Sequence, residues 1–385
     1  MTEAAHNSNL TQRPAPETNK APERRLSLLI MCRNEESRIT GAIASALPVV
    51  DQVVIYDTGS TDNTIAKALE AYPQASVHTG QFTNFVDSYN AALSHVRTSH
   101  VLIMAADEIF PSLEAAVSVL RRFETGVNML DMVVKDYDLS GNYLGDSIKT
   151  RLFPAYKRFA GPYTHEYIPV APTDRVELMP SIFYVRHTPG KTAEQQRVRM
   201  HSDIAVLKQY IEDNRTTIGP DYIRAFFYLH KSYTILGQRQ EAKPYANVVR
   251  EFLAGVQHVY VNQIDFDEAD TAYRLSGDVA AWKDATTRNP WCPALQTSYG
   301  MAAKANGDYA SARNAFLRAM ALPRNNNTTL LSDNPALYLD YPISALAEMA
   351  HVDGDLMSAR MWLNILSVVN PQQAIALKRR LEVGW

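Results

Sequence analysis

Short apolar runs alternate with amphipathic stretches in the first half of the chain. Strands are predicted at 26–32, 53–56, 76–78 and 100–105, and helices at about 39–46, 62–71 and 84–96. This alternation is typical of a mostly parallel sheet that helices cover on both faces. Further strands at 129–134, 147–153 and 181–187 follow a helix capped by Ser112 and extend the sheet. The pattern therefore predicts an α/β domain.

Beyond Lys191 the pattern is helical, and a glycine is repeatedly followed five residues later by an alanine. The pairs are Gly237 with Ala242, Gly307 with Ala312, and Gly354 with Ala359, and a degenerate copy lies at Gly277. We interpret each pair as a tight turn between two helices, in which the alanine permits close packing. A generic helical bundle is the alternative. The predicted domains are a disordered tail at 1–24, the α/β domain at 25–190 and a helical repeat domain at 191–385.

Composition narrows the class of protein. The 385 residues are 46% hydrophobic, which is enough for two buried cores. With 38 Lys and Arg against 41 Asp and Glu, the formal net charge of -3 gives no overall attraction to nucleic acid or to an anionic membrane. The two cysteines, Cys32 and Cys292, favour reduced thiols over a disulfide framework. Without a long apolar run, we expect a cytoplasmic protein with no membrane span.

Polar residues follow the first two predicted strands. Arg33, Asn34 and Glu35 come after the first strand, and Asp57 and Gly59 come after the second. Ligands of open α/β sheets bind outside the carboxyl ends of the strands, so Asp57 is placed to contact the polar edge of a nucleotide. The alternative is an ordinary turn into the next helix, with Gly59 supplying an unusual backbone angle.

A second acidic position closes the strand at 100–105, where Asp107 and Glu108 follow two alanines. A nucleotide-sugar site needs a carboxylate that contacts the base, and a cation, held by another carboxylate, that neutralises the diphosphate. Asp57 and Asp107 can fill these two roles. Mg²⁺ or Mn²⁺ prefers oxygen ligands and often shares them with phosphate, so we expect one of these divalent metals as the cofactor.

These motifs resemble those of the family 2 nucleotide-sugar glycosyltransferases, which have the Rossmann-like GT-A fold. The likeness is greatest to the bacterial and phage type with C-terminal tetratricopeptide repeats, and it covers most of the chain from Leu26. It is carried by Arg33-Asn34-Glu35, by the signature DTGSTDNT at 57–64, by Asn84-Phe85 and Asn90, by Arg151-Leu152-Phe153, by Gly161 with His165-Glu166, and by His187.

Two positions depart from the family pattern. Tyr89 stands where the helix motif has an arginine, and Ala105 stands where the motif Asp-Ala-Asp-Glu has its first aspartate. In the family that aspartate contacts ribose or sugar, whereas the last aspartate holds the metal. The resemblance therefore keeps metal binding with Asp107 and removes one group that would orient the donor. Weaker donor affinity, a different donor and lost activity are all compatible with this change.

The resemblance also implies roles for individual residues. Glu166 is the expected general base of an inverting transfer, with His165 as an alternative base or an orienting group and Asp146 as a weaker candidate. Arg151 would neutralise the leaving phosphate, unless it is only salt-bridged. His187 would complete the metal site with Asp107, unless it is structural. The expected donor-binding residues are Arg33, Asn34, Glu35, Asp57, Gly59, Asn84, Asn90 and Ala106.

We therefore predict a metal-dependent glycosyltransferase that moves a sugar from a UDP-like donor. Repeat arrays form concave surfaces suited to peptides, so a protein side chain is the expected acceptor. Glycan, lipid-linked and modified nucleobase acceptors remain alternatives, and the net charge disfavours the last. Ala105 supports a different alternative, a catalytically impaired scaffold. A nucleotidyltransferase is disfavoured because no glycine-rich phosphate loop follows the first strand.

Overall fold

The computed structural model describes residues 25–188, 193–323, 330 and 335–381. The predicted tail at 1–24 and the predicted domain boundary at 190/191 lie outside the described residues. Within those ranges, none of the helices has both the length and the apolar character needed to cross a membrane.

The first domain is built on one sheet. Its strands are β1 Leu26–Cys32, β2 Gln52–Asp57, β3 Ser76–Thr79, β4 His100–Ile103, β5 Glu108–Ile109, β6 Met129–Tyr137, β7 Tyr143–Pro154, β8 Val176–Leu178 and β9 Val185–His187. The strand order is β3-β2-β1-β4-β7-β6-β9-β5, and β8 pairs with β6. The four helices of this domain are α1 Ile39–Ala46, α2 Thr64–Ala71, α3 Phe85–Leu93 and α4 Leu113–Glu124.

The sheet is parallel on one side and mixed on the other. Strands β3, β2, β1 and β4 are parallel, whereas β7 is antiparallel to β4 and to β6. Strand β6 is again parallel to β8 and to β9, so five of the eight strand pairings are parallel and the prediction of a mostly parallel sheet is confirmed. Strands β6 and β7 form a hairpin across the short turn 138–142, and so short a connection can join only antiparallel neighbours. Four predicted elements are shorter than expected: β4 ends at Ile103, β9 begins at Val185, α2 begins at Thr64, and α3 spans Phe85–Leu93.

Both faces of the parallel half are covered by helices. Leu28 and Ile30 of β1 pack with Ile39 of α1 in one apolar cluster, whereas Leu29 packs with Leu93 of α3 in another. Because successive strand side chains point to opposite faces, a strand covered on both sides needs apolar residues at every position. This explains the apolar run at 28–32, which follows the polar Ser27 in β1.

The second domain is helical. Its helices are α5 Ala193–Asp213, α6 Pro220–Ile235, α7 Arg239–Phe252, α8 Val259–Ser276, α9 Val279–Arg288, α10 Pro293–Ala305, α11 Tyr309–Ala321, α12 Asp340–Val352, α13 Leu356–Val369 and α14 Pro371–Leu381. Consecutive helices pack together in pairs, notably α6 with α7, α10 with α11, and α12 with α13.

The glycine and alanine pattern marks the turns within these pairs. Gly237, Gly307 and Gly354 have φ values of 75°, 82° and 77°, in the left-handed region that favours glycine. Their partner alanines are buried, at 242, 312 and 359. A further glycine, Gly300 of α10, faces Phe316 of α11 so closely that an added Cβ would lie 2.7 Å from the ring. The interpretation of the pattern as tight turns between packed helices is confirmed.

Candidate active site

The loops that follow β1 and β2 are tied to each other. The Asn34 amide donates to Ser60 Oγ at 2.9 Å, and the Thr61 amide donates to Asn34 Oδ1 at 2.8 Å. The Glu35 amide donates to Thr64 Oγ1 at 2.7 Å. Asn34 has a φ of 57°, a conformation that asparagine adopts more readily than most residues. The Arg-Asn-Glu turn and the DTGSTDNT segment therefore form one structural unit, which leaves Arg33 exposed to solvent.

Asp57 shapes the loop after β2. Its side chain is buried, and Oδ2 accepts from the amides of Gly59 and Ser60 at 3.1 and 2.9 Å. The Ser60 hydroxyl donates to Oδ1. Gly59 has a φ of 104°, so a side chain there would strain the turn. The carboxylate thus holds the loop in a fixed shape, and its predicted contact with a nucleotide base stays a prediction.

Cys32 lies beside Asp57 at the end of β1. Its Sγ is 3.8 Å from Asp57 Oδ1. Burial raises the pKa of this thiol to about 12, and the neighbouring charge of Asp57 adds to the rise. Since the thiolate is the reactive form, Cys32 is a neutral packing residue rather than a nucleophile.

Asp57 and Asp107 lie at one edge of the sheet, which we call the carboxyl rim. β1 pairs in parallel with β2 on one side and with β4 on the other. Asp57 ends β2, and Asp107 lies in the loop after β4. The carboxyl ends of parallel strands meet at the same edge, and two strand spacings, about 10 Å, separate β2 from β4. That span is comparable to the length of a nucleoside diphosphate.

Asp107 is a partly exposed carboxylate with two cationic neighbours. Its side chain is 17% exposed, and Oδ2 lies 3.3 Å from His187 Nε2 and 3.8 Å from Arg38 Nη1. Burial acts to raise the pKa of Asp107, but the hydrogen bond and charge of His187, together with Arg38, hold it below the ordinary value. Arg38 also pairs with Glu35 at 2.5 Å. Arg38 therefore joins the loop after β1 to the acidic position after β4.

His187 is held from both sides by carboxylates. Its Nδ1 lies 2.7 Å from Asp136 Oδ1, because β6 and β9 pair in the register that sets Asp136 beside His187. Burial acts to lower the pKa of His187, yet the hydrogen bonds to Asp107 and Asp136 outweigh it and raise the value to about 9. The imidazole is therefore fixed in orientation, with Nε2 directed at Asp107.

The donors around Asp107 fit a divalent cation that shares phosphate ligands. Among the described residues, no group of three or more His, Cys, Asp or Glu side chains could hold a metal ion. Asp107 nevertheless supplies an oxygen donor, and His187 would supply a nitrogen donor beside it once a bound cation displaces the proton on Nε2. A histidine that binds a metal usually has its other nitrogen held by a carboxylate, as Asp136 holds Nδ1 here. Two protein ligands with phosphate oxygens are sufficient for Mg²⁺ or Mn²⁺.

Glu108 and Arg151 form a buried ion pair behind the carboxyl rim. Both side chains are nearly inaccessible, and Arg151 Nη2 donates to Glu108 Oε1. Glu108 Oε2 accepts from the Ala105 amide at 2.9 Å, so this glutamate also fixes the loop that carries Asp107. Lys149 Nζ lies 3.9 Å from the same carboxylate. Arg151 is thus salt-bridged within the protein, and its predicted role toward a leaving phosphate stays a prediction.

Helix α3 places its asparagines in structural contacts. Asn84 is the N-cap, and its side chain accepts from the Asp87 amide at 2.9 Å. Asn90 donates to the Phe159 carbonyl at 3.0 Å and accepts from the Phe159 amide at 2.8 Å. Asn90 therefore fastens the chain segment that follows β7 to helix α3. The predicted donor contacts of Asn84 and Asn90 stay predictions.

The segment after β7 returns to the carboxyl rim along α3. Strand β7 ends at Pro154, opposite the start of β4, because the two strands are antiparallel. The chain then passes Asn90 at Phe159, and the Phe85 amide donates to the Tyr163 carbonyl at 3.0 Å. Since α3 begins at the rim, this path brings the following His165 and Glu166 back toward Asp107.

Tyr89 of α3 interacts electrostatically both with the loop of Asp107 and with the segment after β7. Its ring stacks on Phe159 with centroids 4.8 Å apart. Burial raises the pKa of the Tyr89 hydroxyl, and the charges of Glu166 and Asp107 raise it further. The phenol is therefore neutral, and it lies within electrostatic range of both carboxylates. The residue that departs from the family motif thus lies within electrostatic range of the candidate base.

His165 and Glu166 differ in their electrostatic surroundings. Burial lowers the pKa of His165 to about 3, and the charges of Arg224 and Arg199 add to the effect. Burial raises the pKa of Glu166 above its ordinary value, which the nearby cations only partly offset. His165 is therefore a neutral ring with little basicity, whereas Glu166 is a carboxylate whose basicity is increased.

Several residues of this site were not predicted from the sequence. Arg38 could have been suspected, because a basic residue three positions after Glu35 at the start of a helix forms an ion pair. Asp136 could not, because its contact with His187 depends on the register between β6 and β9. Arg224 of α6 lies near Glu166, and no pattern in the sequence predicts that it belongs to the site.

Comparison with known proteins covers part of the chain. Residues 27–173 match the model of glycosyl transferase family 2, and the helical domain lies outside this match. Together with the sheet topology, the match confirms the predicted fold class, a GT-A type α/β domain followed by a helical domain. No curated protein matches the chain significantly.

Solved structures show a partial likeness. A mycobacterial protein has 24% identity and a TM-score of 0.25, covering 30% of this chain and 41% of its own. Glucosyl-3-phosphoglycerate synthase from Mycobacterium tuberculosis, with Mg²⁺ and UDP, has 23% identity and a TM-score of 0.25, covering 31% and 45%. The same synthase with Mn²⁺, UDP-glucose and phosphoglyceric acid gives the same values. The chain thus spans less than half the length of these structures.

The buried pair of Glu108 and Arg151 makes a prediction about stability. Glu108→Ala leaves Arg151 as an unpaired buried charge, so the free energy of unfolding should fall by about 3–5 kcal/mol. Urea unfolding measures this change. Glu70→Ala is the matched control, since Glu70 pairs with Lys67 on the exposed surface and should change little. A loss below about 1 kcal/mol for Glu108→Ala would contradict the role of this pair as a buried ion pair that stabilises the fold.

Proposed function

We propose that the protein is a metal-dependent glycosyltransferase that moves a sugar from a UDP-like nucleotide donor to an acceptor. The observation that carries this proposal is the placement of Asp57 and Asp107 at one carboxyl rim, on either side of β1, within the segment that matches glycosyl transferase family 2. Ligands of such sheets bind at this rim.

The donor would lie across the rim between the two acidic positions. The base and ribose would be held at the unit formed by 33–35 and 57–60, with Asp57 fixing the loop that meets them. Arg33 is exposed there and is available to a ligand. Ala106 is buried in the loop that carries Asp107 and would contribute through its backbone. The methyl group of Ala105 cannot hydrogen-bond a sugar. Glu108 does not replace that hydrogen bond, because its carboxylate is paired with Arg151.

The diphosphate would reach Asp107. Asp107 and His187 would hold the divalent cation, and Asp136 would keep the His187 ring in place. When bound, such a cation offsets the negative charge that develops on the leaving diphosphate. Lys149 and Arg151 both contact Glu108, which follows Asp107 in the chain. Lys149 would add positive charge near the diphosphate, and Arg151 would act toward the leaving phosphate while paired with Glu108.

Glu166 is our candidate general base. A base must be deprotonated and near the attacking group, and its efficiency rises as its pKa approaches the working pH. Burial moves the pKa of Glu166 in that direction and moves the pKa of His165 away from it. We therefore assign proton acceptance to Glu166 in an inverting transfer, and we assign His165 to the support of the same loop.

For the acceptor we propose a protein side chain held by the helical domain. Support comes from the paired helices with glycine turns, which we interpret as tetratricopeptide-like repeats, and from the contact of α6 with the segment that carries Glu166. Glycan and modified nucleobase acceptors are the alternatives. Both cysteines are free and buried, so we also propose a reducing compartment, the cytoplasm.

The metal role of Asp107 is tested by Asp107→Asn. The substitution keeps the size of the side chain but removes the charge, so stimulation of donor hydrolysis by Mn²⁺ should be abolished. Hydrolysis of UDP-sugars is measured over a titration of Mn²⁺, with Glu114→Gln on the exposed face of α4 as the control. Undiminished Mn²⁺ stimulation in Asp107→Asn would remove the assigned role.

The role of Glu166 is tested by Glu166→Gln. The loss of a general base should lower kcat for transfer by about 10²–10⁴-fold, while the KM for the donor stays within about twofold. The base acts when deprotonated, so kcat of the wild type should fall as the pH drops through a pKa above the ordinary value of 4.5. This acid limb should vanish in the variant.

Glu124→Gln, at the exposed end of α4, is the matched control for Glu166→Gln. Transfer that survives Glu166→Gln with its pH profile intact would place the base elsewhere in the site.

A further inference from the structure

Glu166 belongs to a tight loop, which we call the glutamate loop and define as residues 160–167. Ala160 and Tyr167 close it, each donating its amide to the other's carbonyl at 2.9 Å. Gly161 and His165 both have positive φ values, of 115° and 60°. Glycine adopts such angles readily, but a histidine does so only when its surroundings hold it there.

Helix α6 of the second domain supplies that support. Arg224 Nε donates to the His165 carbonyl at 2.9 Å. The His165 ring stacks on the ring of Tyr228, with centroids 3.6 Å apart and planes 3° from parallel. The Tyr167 hydroxyl donates to Asp221 at 2.9 Å. Backbone and ring of the residue before Glu166 are therefore both held by α6.

Arg224 is itself held in place. Its Nη1 donates to the Tyr260 hydroxyl of α8 at 2.8 Å. Its guanidinium lies 4.9 Å from the centroid of the Tyr167 ring and 5.1 Å from that of Tyr228. A guanidinium fixed by a hydrogen bond and two aromatic faces can hold a carbonyl in a defined position. The second domain thus offers a rigid group to the glutamate loop.

We propose that Arg224 and Tyr228 are positioning residues for Glu166, so that the helical domain sets the geometry of the candidate base. The inference rests on the proposed function, because it assigns Glu166 a catalytic purpose. The φ angle of His165 determines the direction in which the chain continues to Glu166. Without Arg224 and the Tyr228 ring, His165 relaxes toward ordinary backbone angles and the Glu166 carboxylate moves away from the acceptor. A displacement of about 1 Å is enough to cost about 10²-fold in rate.

The test uses the full chain and compares Arg224→Ala and Tyr228→Leu with Tyr228→Phe, which keeps the stacked ring. Arg274→Ala, an exposed arginine on α8, is the matched control. The first two variants should lower kcat for transfer by about 10–100-fold, with donor affinity within about twofold. Tyr228→Phe and Arg274→Ala should stay near the wild type. A fall in donor affinity that matches the fall in kcat would overturn the inference.

Amide hydrogen exchange gives a readout that does not depend on activity. Exchange at Ala160 and Tyr167 should accelerate at least about tenfold in Arg224→Ala and Tyr228→Leu, since their bonds close the loop. Unchanged exchange in both would overturn the inference. If the wild type shows no transfer from any nucleotide sugar, the proposed function fails, while exchange still decides whether α6 holds the loop.

A rescue separates positioning from a loss of general stability. Glycine adopts positive φ without support, so Arg224→Ala combined with His165→Gly should recover kcat at least about threefold over Arg224→Ala alone. A merely structural role of Arg224 predicts a further loss in the double variant, and that result would contradict positioning.

Discussion

Parallel pairing of β1 with both β2 and β4 is the constraint on which the candidate site depends. It forces the two strands that carry the acidic loops to end at the same rim, about two strand spacings apart. The apolar run of β1 makes this arrangement stable, since Leu28 and Leu29 are buried on opposite faces. Because β1 lies between β2 and β4, Asp57 and Asp107 are brought to the same rim.

Near that rim, acidic side chains pair with basic ones. The burial of each pair determines whether it stabilises the fold or remains accessible to a ligand. Glu108 and Arg151 are buried and fix the loop of Asp107, whereas Asp107 stays partly exposed beside His187 and Arg38. Of these two carboxylates, Asp107 is the one that a cation can reach. His165 and Glu166 differ in a similar way. The His165 ring is packed in a stacked contact, whereas burial raises the pKa of Glu166 and the nearby cations offset that rise only in part.

Local patterns predicted much of this structure. The apolar runs predicted the strands of the parallel half, and the glycines at 237, 307 and 354 predicted the turns of the helical domain. Gly59 indicated a turn after Asp57, and the positive φ it needs is present. These features depend on residues close together in sequence, where spacing and backbone preference are sufficient.

Contacts between distant residues could not be predicted in the same way. Asn90 contacts Phe159, His187 contacts Asp136, and Arg224 contacts His165. Each of these contacts depends on the register of strands or on the packing of distant elements. A local sequence pattern indicates neither the register nor the packing. For this reason the sequence leaves open whether Arg151 faces a phosphate or is salt-bridged, and the structure pairs it with the buried Glu108. The helical domain is predicted to present the acceptor, and its helix α6 also contacts the loop of the candidate base.

The central claim is that the carboxyl rim binds a nucleoside diphosphate together with a divalent metal. Calorimetric titration of UDP into the full-length protein, with and without Mn²⁺, tests it most directly. The predicted result is saturable binding that Mn²⁺ strengthens at least about tenfold, which corresponds to about 1.4 kcal/mol. Absence of UDP binding under both conditions would contradict it.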